Sequence, residues 1–176
     1  MRRIEVQKLS AEKFCRYGEY QDLLNDASLA KKSIFPGGFF ADVVKLDLGT
    51  TTLPTVSVCQ VRKSEQMVVS MVEAHKFTCE GLLPLDDDIV LFAGIPYPGR
   101  KLSSGPLEAF FVPKGTFVRL NPLIVHGTQC FLQALFPQKC RLTSSKLHGE
   151  FPQYCISSAG TLSGAGEEPL QAYKVY

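Results

Sequence analysis

From residue 41 onward the chain is a succession of short apolar or alternating runs: ADVVKLDL, TVSVCQV, MVVSMVEA, DIVLFAG, LEAFFVP, TFVRL and QCFLQALF. They are rich in Val, Phe, Ile and Thr, whose branched or aromatic side chains suit a pleated surface. Gly, Pro, Asp or Lys-Ser punctuation separates most of them. Short strands at such spacing, with no long amphipathic helix between them, predict an all-β fold. The pattern fits an antiparallel sandwich or barrel, of which the jelly roll is one kind, and not a βαβ sheet.

Ahead of this region, RIEVQKL over residues 3–9 alternates with Ile4 and Val6 between polar positions, the mark of a half-buried strand. Ser10 resembles an N-cap, and Glu12 falls where a carboxylate suits a helix dipole. A short helix is therefore expected through Phe14 and Tyr17, stopped by Gly18, with a second helical piece within YQDLLNDASLAKK. At the other end, SSAGTLSGAGEE has the small-residue composition of a loop. The expected organisation is a barrel with N-terminal strand and helices over residues 1–142, and a loop-rich extension over 143–176 packed on the same domain. There is no repeat of fixed period.

Composition narrows the partners. A chain of 176 residues, 45% hydrophobic and 20% charged, suits one folded domain and argues against wholesale disorder. Its 19 basic and 17 acidic residues are dispersed, with a net charge of +2, so no electrostatic footprint for nucleic acid is present and a small-molecule partner is expected. The opening MRRIEVQKLSAEKF has no apolar h-region, and no run reaches membrane-spanning length, so no membrane association is expected. Cysteines at 15, 59, 79, 130, 140 and 155 form no CxxC pair, which points to reduced thiols in a cytoplasm, with Cys79 a plain buried thiol.

Polar chemistry concentrates in two stretches. In VEAHKFTCE, a strand over 67–76 would put Glu73 and His75 on one face, with Glu80 five residues beyond His75. In FFVPKGTFVRLNPLIVHGTQCF, a turn at Pro113 and Gly115 precedes a strand and then His126, which would share a strand face with Thr128 and Cys130. A lone histidine is a weak signal, and ordinary satisfied histidines are the alternative. DDD at 86–88 lacks the spaced ligands of a calcium loop and is expected to be a polar turn. GIPYPGR at 94–100 is expected to be a loop, as is His148.

The order of an E-x-H pair, a carboxylate five residues after the His, Pro-x-Gly, and a second His about fifty residues later resembles the two motifs of the cupin superfamily. Glu73 stands where the commoner cupin pattern has the first of two histidines. Within that superfamily, VEAHKFTCEGLLPL is similar to the E-x-H-x4-Q segment of the ureidoglycolate lyase branch, and LSAEKFCRYGEY to its LS-x-E-x-F-x-x-YG opening. Two departures stand out: Glu80 replaces the Gln, and the second motif, with Arg119, Asn121, Pro122 and His126, is spaced differently.

The resemblance implies an antiparallel cupin-type barrel and a site at Glu73, His75, Glu80 and His126. These two imidazoles and two carboxylates suit a divalent transition metal, Mn²⁺, Fe²⁺, Zn²⁺ or Ni²⁺, with positions left open for substrate. The implied reaction is elimination of urea from ureidoglycolate to give glyoxylate, with Glu80 or Glu73 as base and His75 or His126 as acid. Whether Glu80 is ligand or base stays open. Arg62, placed before the E-x-H strand much as an arginine is in the lyase branch, and Arg119 are the candidate clamps for a substrate carboxylate, with Lys76 behind them. The other readings are a non-catalytic metabolite-binding cupin and a cupin sugar isomerase. Because barrels carry edge strands that need covering, a homodimer is expected.

Overall fold

The alternating run at the N-terminus is divided at Glu5 into β1 (Arg2–Ile4) and β2 (Val6–Lys8), which join different sheets. This computed structural model describes residues 2–35, 37–49, 54–61, 68–69, 72–96, 106–127, 153–158 and 173–175. Ser10 caps α1 (Ala11–Phe14), its hydroxyl accepting from the Lys13 N–H at 3.4 Å. The helix is one turn long and stops short of Tyr17. Gly18 opens β3 (Gly18–Asp22), pressed so closely on a neighbouring strand that a Cβ there would come within 1.8 Å of the Arg119 carbonyl oxygen. That close approach, beyond any helix-stopping role, requires glycine.

The second helix is also shorter than expected. α2 covers Asp26–Ala30, capped by Asn25, while Tyr20–Asp22 belong to the strand. Strand pairing has overridden local helical preference there. The remaining elements are β4 (Ser57–Val61), β5 (Val68–Val69), β6 (Val72–Glu73), β7 (Glu80–Pro84), β8 (Ile89–Gly94), β9 (Glu108–Val112), β10 (Thr116–Leu120), β11 (Val125–Gly127), β12 (Gln153–Ser158) and β13 (Tyr173–Val175). ADVVKLDL is not a strand. The Asp86–Asp88 run is the turn between β7 and β8, and its Asp88 carboxylate accepts from the Lys114 N–H at 2.8 Å. Gly115, at φ +73°, provides the left-handed position of the expected Pro-x-Gly turn.

Two five-stranded sheets, ordered β3-β10-β7-β12-β4 and β2-β9-β8-β11-β6, form the body, with a small third sheet β1-β13-β5. Pairings are antiparallel except β1 with β13 and β2 with β9. The fold is all-β, two large and mainly antiparallel sheets with short N-terminal helices. Two stretches of the C-terminal segment are strands: β12 lies between β7 and β4, and β13 between β1 and β5. Among the described residues, no helix is long and apolar enough to cross a membrane.

β8 explains how the layers stack. Its six residues are all buried: Ile89, Leu91 and Ala93 face the core between the large sheets, while Val90 and Phe92 face a second core with Ile4 of β1 and Val69 of β5. A continuous apolar run is what a strand covered on both faces demands. The central core is aromatic at its heart. Phe110 meets Phe14 edge-on at 5.1 Å and Tyr17 at 5.6 Å between ring centroids. The Tyr17 hydroxyl donates to Glu108 Oε2 at 3.0 Å, and Arg16 Nη2 lies 2.6 Å from Glu108 Oε1. Burial pushes the Tyr17 hydroxyl up to about 12, helped by the Glu108 carboxylate. Burial would also raise Glu108, but the bonds from Arg16 and Tyr17 outweigh it and hold that carboxyl below its usual range.

Phe110→Ala should therefore cost about 3–5 kcal/mol in urea-melt stability. For Glu108 the sign follows from a depressed folded-state pKa. Its contribution is present above the ordinary carboxylate range and is lost as pH falls through the lowered value. Wild type should exceed Glu108→Gln in stability at neutral pH, by about 1 kcal/mol or less for so open an ion pair, and the gap should close on acidification.

Candidate metal centre

Cross-strand register brings the acidic and imidazole side chains together. β11 lies between β6 and β8, so His126 stands opposite Glu73 on one side and Ala93 on the other. Residues directly opposed in an antiparallel pair share a face, which sets Glu73 beside His126, and the small Ala93 leaves room for the ring. His75 follows just past the end of β6. Glu80 comes from the other large sheet, where it is the first residue of β7 and faces inward opposite Leu120. The four residues thus span the gap between the sheets, one potential ligand atom from each lying within 4.8 Å of the others.

The centre is graded from buried to open. The side chains of His126 and Glu80 are 2% and 6% exposed, His75 26% and Glu73 65%. Glu80 Oε2 lies 2.6 Å from His126 Nε2 and 2.8 Å from His75 Nε2, and Glu73 Oε1 is 3.8 Å from His126 Nε2. The two rings are 5.5 Å apart, tilted by 40°. His126 Nδ1 is 2.9 Å from the Ile124 carbonyl oxygen, which can only accept, so the proton of the neutral ring sits on Nδ1 and the Nε2 lone pair faces Glu80.

That last contact decides whether the residues fit a metal. At 2.6 Å it has the length of an ion pair, yet neither Glu80 Oε2 nor His126 Nε2, both fully buried, has an aligned hydrogen-bond partner. Two electron-rich atoms converging on one point without a well-directed proton between them match the donors of a cation site. Two carboxylates and two imidazoles would neutralise a divalent ion while leaving its Glu73 and His75 side open. Without a cation, burial would raise the Glu80 carboxyl, but the His126 and His75 rings outweigh it and hold it at about 2. Burial likewise opposes charge on His126, and the adjoining Glu80 carboxylate overrides it, raising the imidazole above its ordinary value.

All four expected site residues meet here. The expected substrate clamps fare differently. Arg62 lies outside the described residues, as do Thr128, Cys130 and His148. Arg119 is opposite Gly81 while its neighbour Leu120 is opposite Glu80, so Arg119 points to the far face of that sheet. There its Nε lies 3.2 Å from Glu19 Oε1, its Nη2 donates to Asn121 Oδ1 at 3.1 Å, and its Nη1 to the Lys45 carbonyl at 3.3 Å. Strand alternation explains the difference, because a residue one position from an inward-facing one must face out. Lys76 is exposed, with its ammonium 4.9 Å from the centre of the Phe77 ring. Cys79 is buried, and burial pushes its thiol up, as for an inert interior cysteine. Sequence reading missed the Ile124 carbonyl that orients His126, since a main-chain acceptor has no residue-type signature. A polar cleft of about 360 Å³ bordered by Arg3, Gln7, Lys13 and Glu108 shares no residue with the cluster.

No family model matches this chain, and no curated protein matches it. Among solved structures it is similar to "The high resolution structures of RmlC from Streptococcus suis in complex with dTDP-D-xylose", at 13% identity and a TM-score of 0.32, over 74% of this chain and 51% of that one. The chain therefore spans about half the length of that protein. So distant a likeness bears on neither substrate nor reaction. The sheets and the cluster define by themselves an all-β protein with four residues able to hold a metal ion.

Purified protein reconstituted with Zn²⁺ or Mn²⁺ should hold close to one ion per chain by elemental analysis. Glu80→Gln and His126→Gln should each weaken binding by more than about 100-fold, beyond the usual cost of losing an outer-shell partner. Lys13→Gln, on α1 and outside the cluster, should leave it unchanged.

Proposed function

We propose that this protein is a small-molecule cupin enzyme, lyase-like and metal-assisted, acting on a ureido- or hydroxy-acid such as ureidoglycolate. The observation that carries the reading is the convergence of Glu73, His75, Glu80 and His126, with Glu80 Oε2 and His126 Nε2 buried and lacking aligned partners. Glu80 and His126 would anchor the ion, with Glu73 and His75 joining its ligands when not engaged in proton transfer. When bound, it would supply Lewis-acid stabilisation of a developing alkoxide. The rest of the chemistry belongs to the side chains. A carboxylate, Glu73 on the open side or Glu80 within, takes the proton from the carbinol hydroxyl. As the carbonyl of glyoxylate forms, the C–N bond breaks and its electron pair stays on nitrogen. An imidazole, His75 being the more open of the two, delivers a proton there and urea leaves. His126, tied through Nδ1 to Ile124, is the fixed member of the set.

A second reading is a cupin that binds a neutral metabolite, or isomerises a sugar. Supporting it is the engagement of Arg119 with Glu19 and Asn121, away from Glu80, which removes one candidate partner for a substrate carboxylate. We extend both readings to a homodimer, because β4 stands at an end of its sheet with Val56 and Val58 exposed, an edge that a second copy could cover.

Metal-loaded wild type should release glyoxylate from ureidoglycolate, and Glu80→Gln should reduce kcat by at least about 100-fold, the scale of lost acid–base catalysis. No glyoxylate from the loaded wild type would overturn the lyase reading and leave the barrel and its metal centre standing.

A further inference from the structure

The link between β10 and β11 is the turn Asn121–Pro122–Leu123–Ile124, closed by the Ile124 N–H donating to the Asn121 carbonyl at 3.3 Å. Proline second and a positive φ third is the type II arrangement, which ordinarily takes Gly or Asn at the third position. Here that residue is Leu123, at φ 67°. A branched side chain disfavours the left-handed region, so something outside the residue must hold it there. Core packing does not account for it, since Leu123 is 50% exposed.

What the conformation achieves is main-chain geometry. The Leu123 N–H donates to the His75 carbonyl at 2.7 Å. One residue on, the Ile124 carbonyl accepts from His126 Nδ1 at 2.9 Å. The turn is itself anchored to the central core, because the Asn121 N–H donates to the Tyr17 carbonyl at 2.8 Å. His75 needs such a hold: β6 ends at Glu73, so the ladder to β11 stops before reaching it. One four-residue turn therefore grips the backbone of one histidine and the ring of the other.

We propose that the Asn121–Ile124 turn is the positioning device of the centre, with Leu123 a positioning residue whose strained conformation sets the His75 carbonyl and the His126 ring in mutual register. The proposal rests on reading the cluster as a metal centre. Backbone strain gathered beside a site, and main-chain bonds orienting ligating imidazoles, are the two physical features that meet in it.

The test is the double substitution Pro122→Gly with Leu123→Gly, which keeps the amide donor and permits the same φ but frees the turn to sample others. The probes are Zn²⁺ affinity by chelator competition, His126 ring tautomer by ¹⁵N NMR of the metal-free protein at a pH alkaline enough for the ring to be neutral, and thermal unfolding. The expected result is a folded protein with about tenfold weaker Zn²⁺ binding, and a His126 ring that changes from a single Nδ1–H tautomer to a mixture. Lys114→Gly, in the turn at the opposite end of β10, should change the melting temperature alone. Unchanged affinity and tautomer in the double variant, with only the melting temperature lowered, would make the turn merely structural and overturn the proposal. If wild type binds no Zn²⁺, the metal reading falls and the tautomer still decides: a mixture in the variant alone supports positioning, and identical spectra overturn it.

Discussion

The rest of the structure is organised around a buried meeting of unlike groups, the Glu80 carboxylate of one sheet and the His126 imidazole of the other, 2.6 Å apart. Taking such groups out of water is costly, and the cost is offset only when each finds a charge partner or a cation. Glu80 has two imidazoles against it and His126 a carboxylate, which is why one pKa is depressed and the other raised despite burial working against both. The absence of aligned hydrogen bonds at that contact leaves the pair incompletely satisfied as it stands. A divalent ion would remove the deficiency, and the more exposed Glu73 and His75 would complete its ligands.

For such a contact to persist, the two sheets must be held at a fixed separation, and the packing on either side provides this. Phe14, Tyr17 and Phe110 fill the space between the sheets, Phe110 meeting the other two rings edge-to-face. Behind β8 and β11, the second core of Val90, Phe92 and Val125 is covered by Ile4 and Val69 of the small sheet. At β8 and β11 the sheet that presents His126 is thus buried on both faces, and close-packed interiors of this kind yield little to local strain. A rigid body of this sort can tolerate an unfavourable backbone conformation at Leu123, where a looser one would relax it.

Function follows from where the polarity is graded. The inner pair, Glu80 and His126, is suited to holding an ion, and in the reading proposed here the outer pair, Glu73 and His75, would close its ligands and meet the substrate. Arg119 belongs to neither. It serves the far face of the β3-β10-β7 sheet, where it ties Glu19 and Asn121 to the segment at Lys45.

How much of this was legible in the chain varies with the range of the interactions concerned. Strands β8, β9 and β10, the Ser10 cap and the turn at Gly115 follow from alternation, side-chain shape and a missing Cβ, which act within a few residues. The pairing of Glu73 with His75 and the separate position of His126 could likewise be read from spacing and from the cupin resemblance. The helix at Tyr20 could not be ruled out locally, because its conversion to strand depends on β10, almost a hundred residues away. Nor could the face on which Arg119 lies, since alternation gives two faces and only the register with Gly81 and Glu80 says which is inside. The sequence by itself determined an all-β chain and four residues of matched chemistry. Tertiary structure decided that they meet, because a strand's register with a distant neighbour is set by the packing of whole sheets and is written in no single segment.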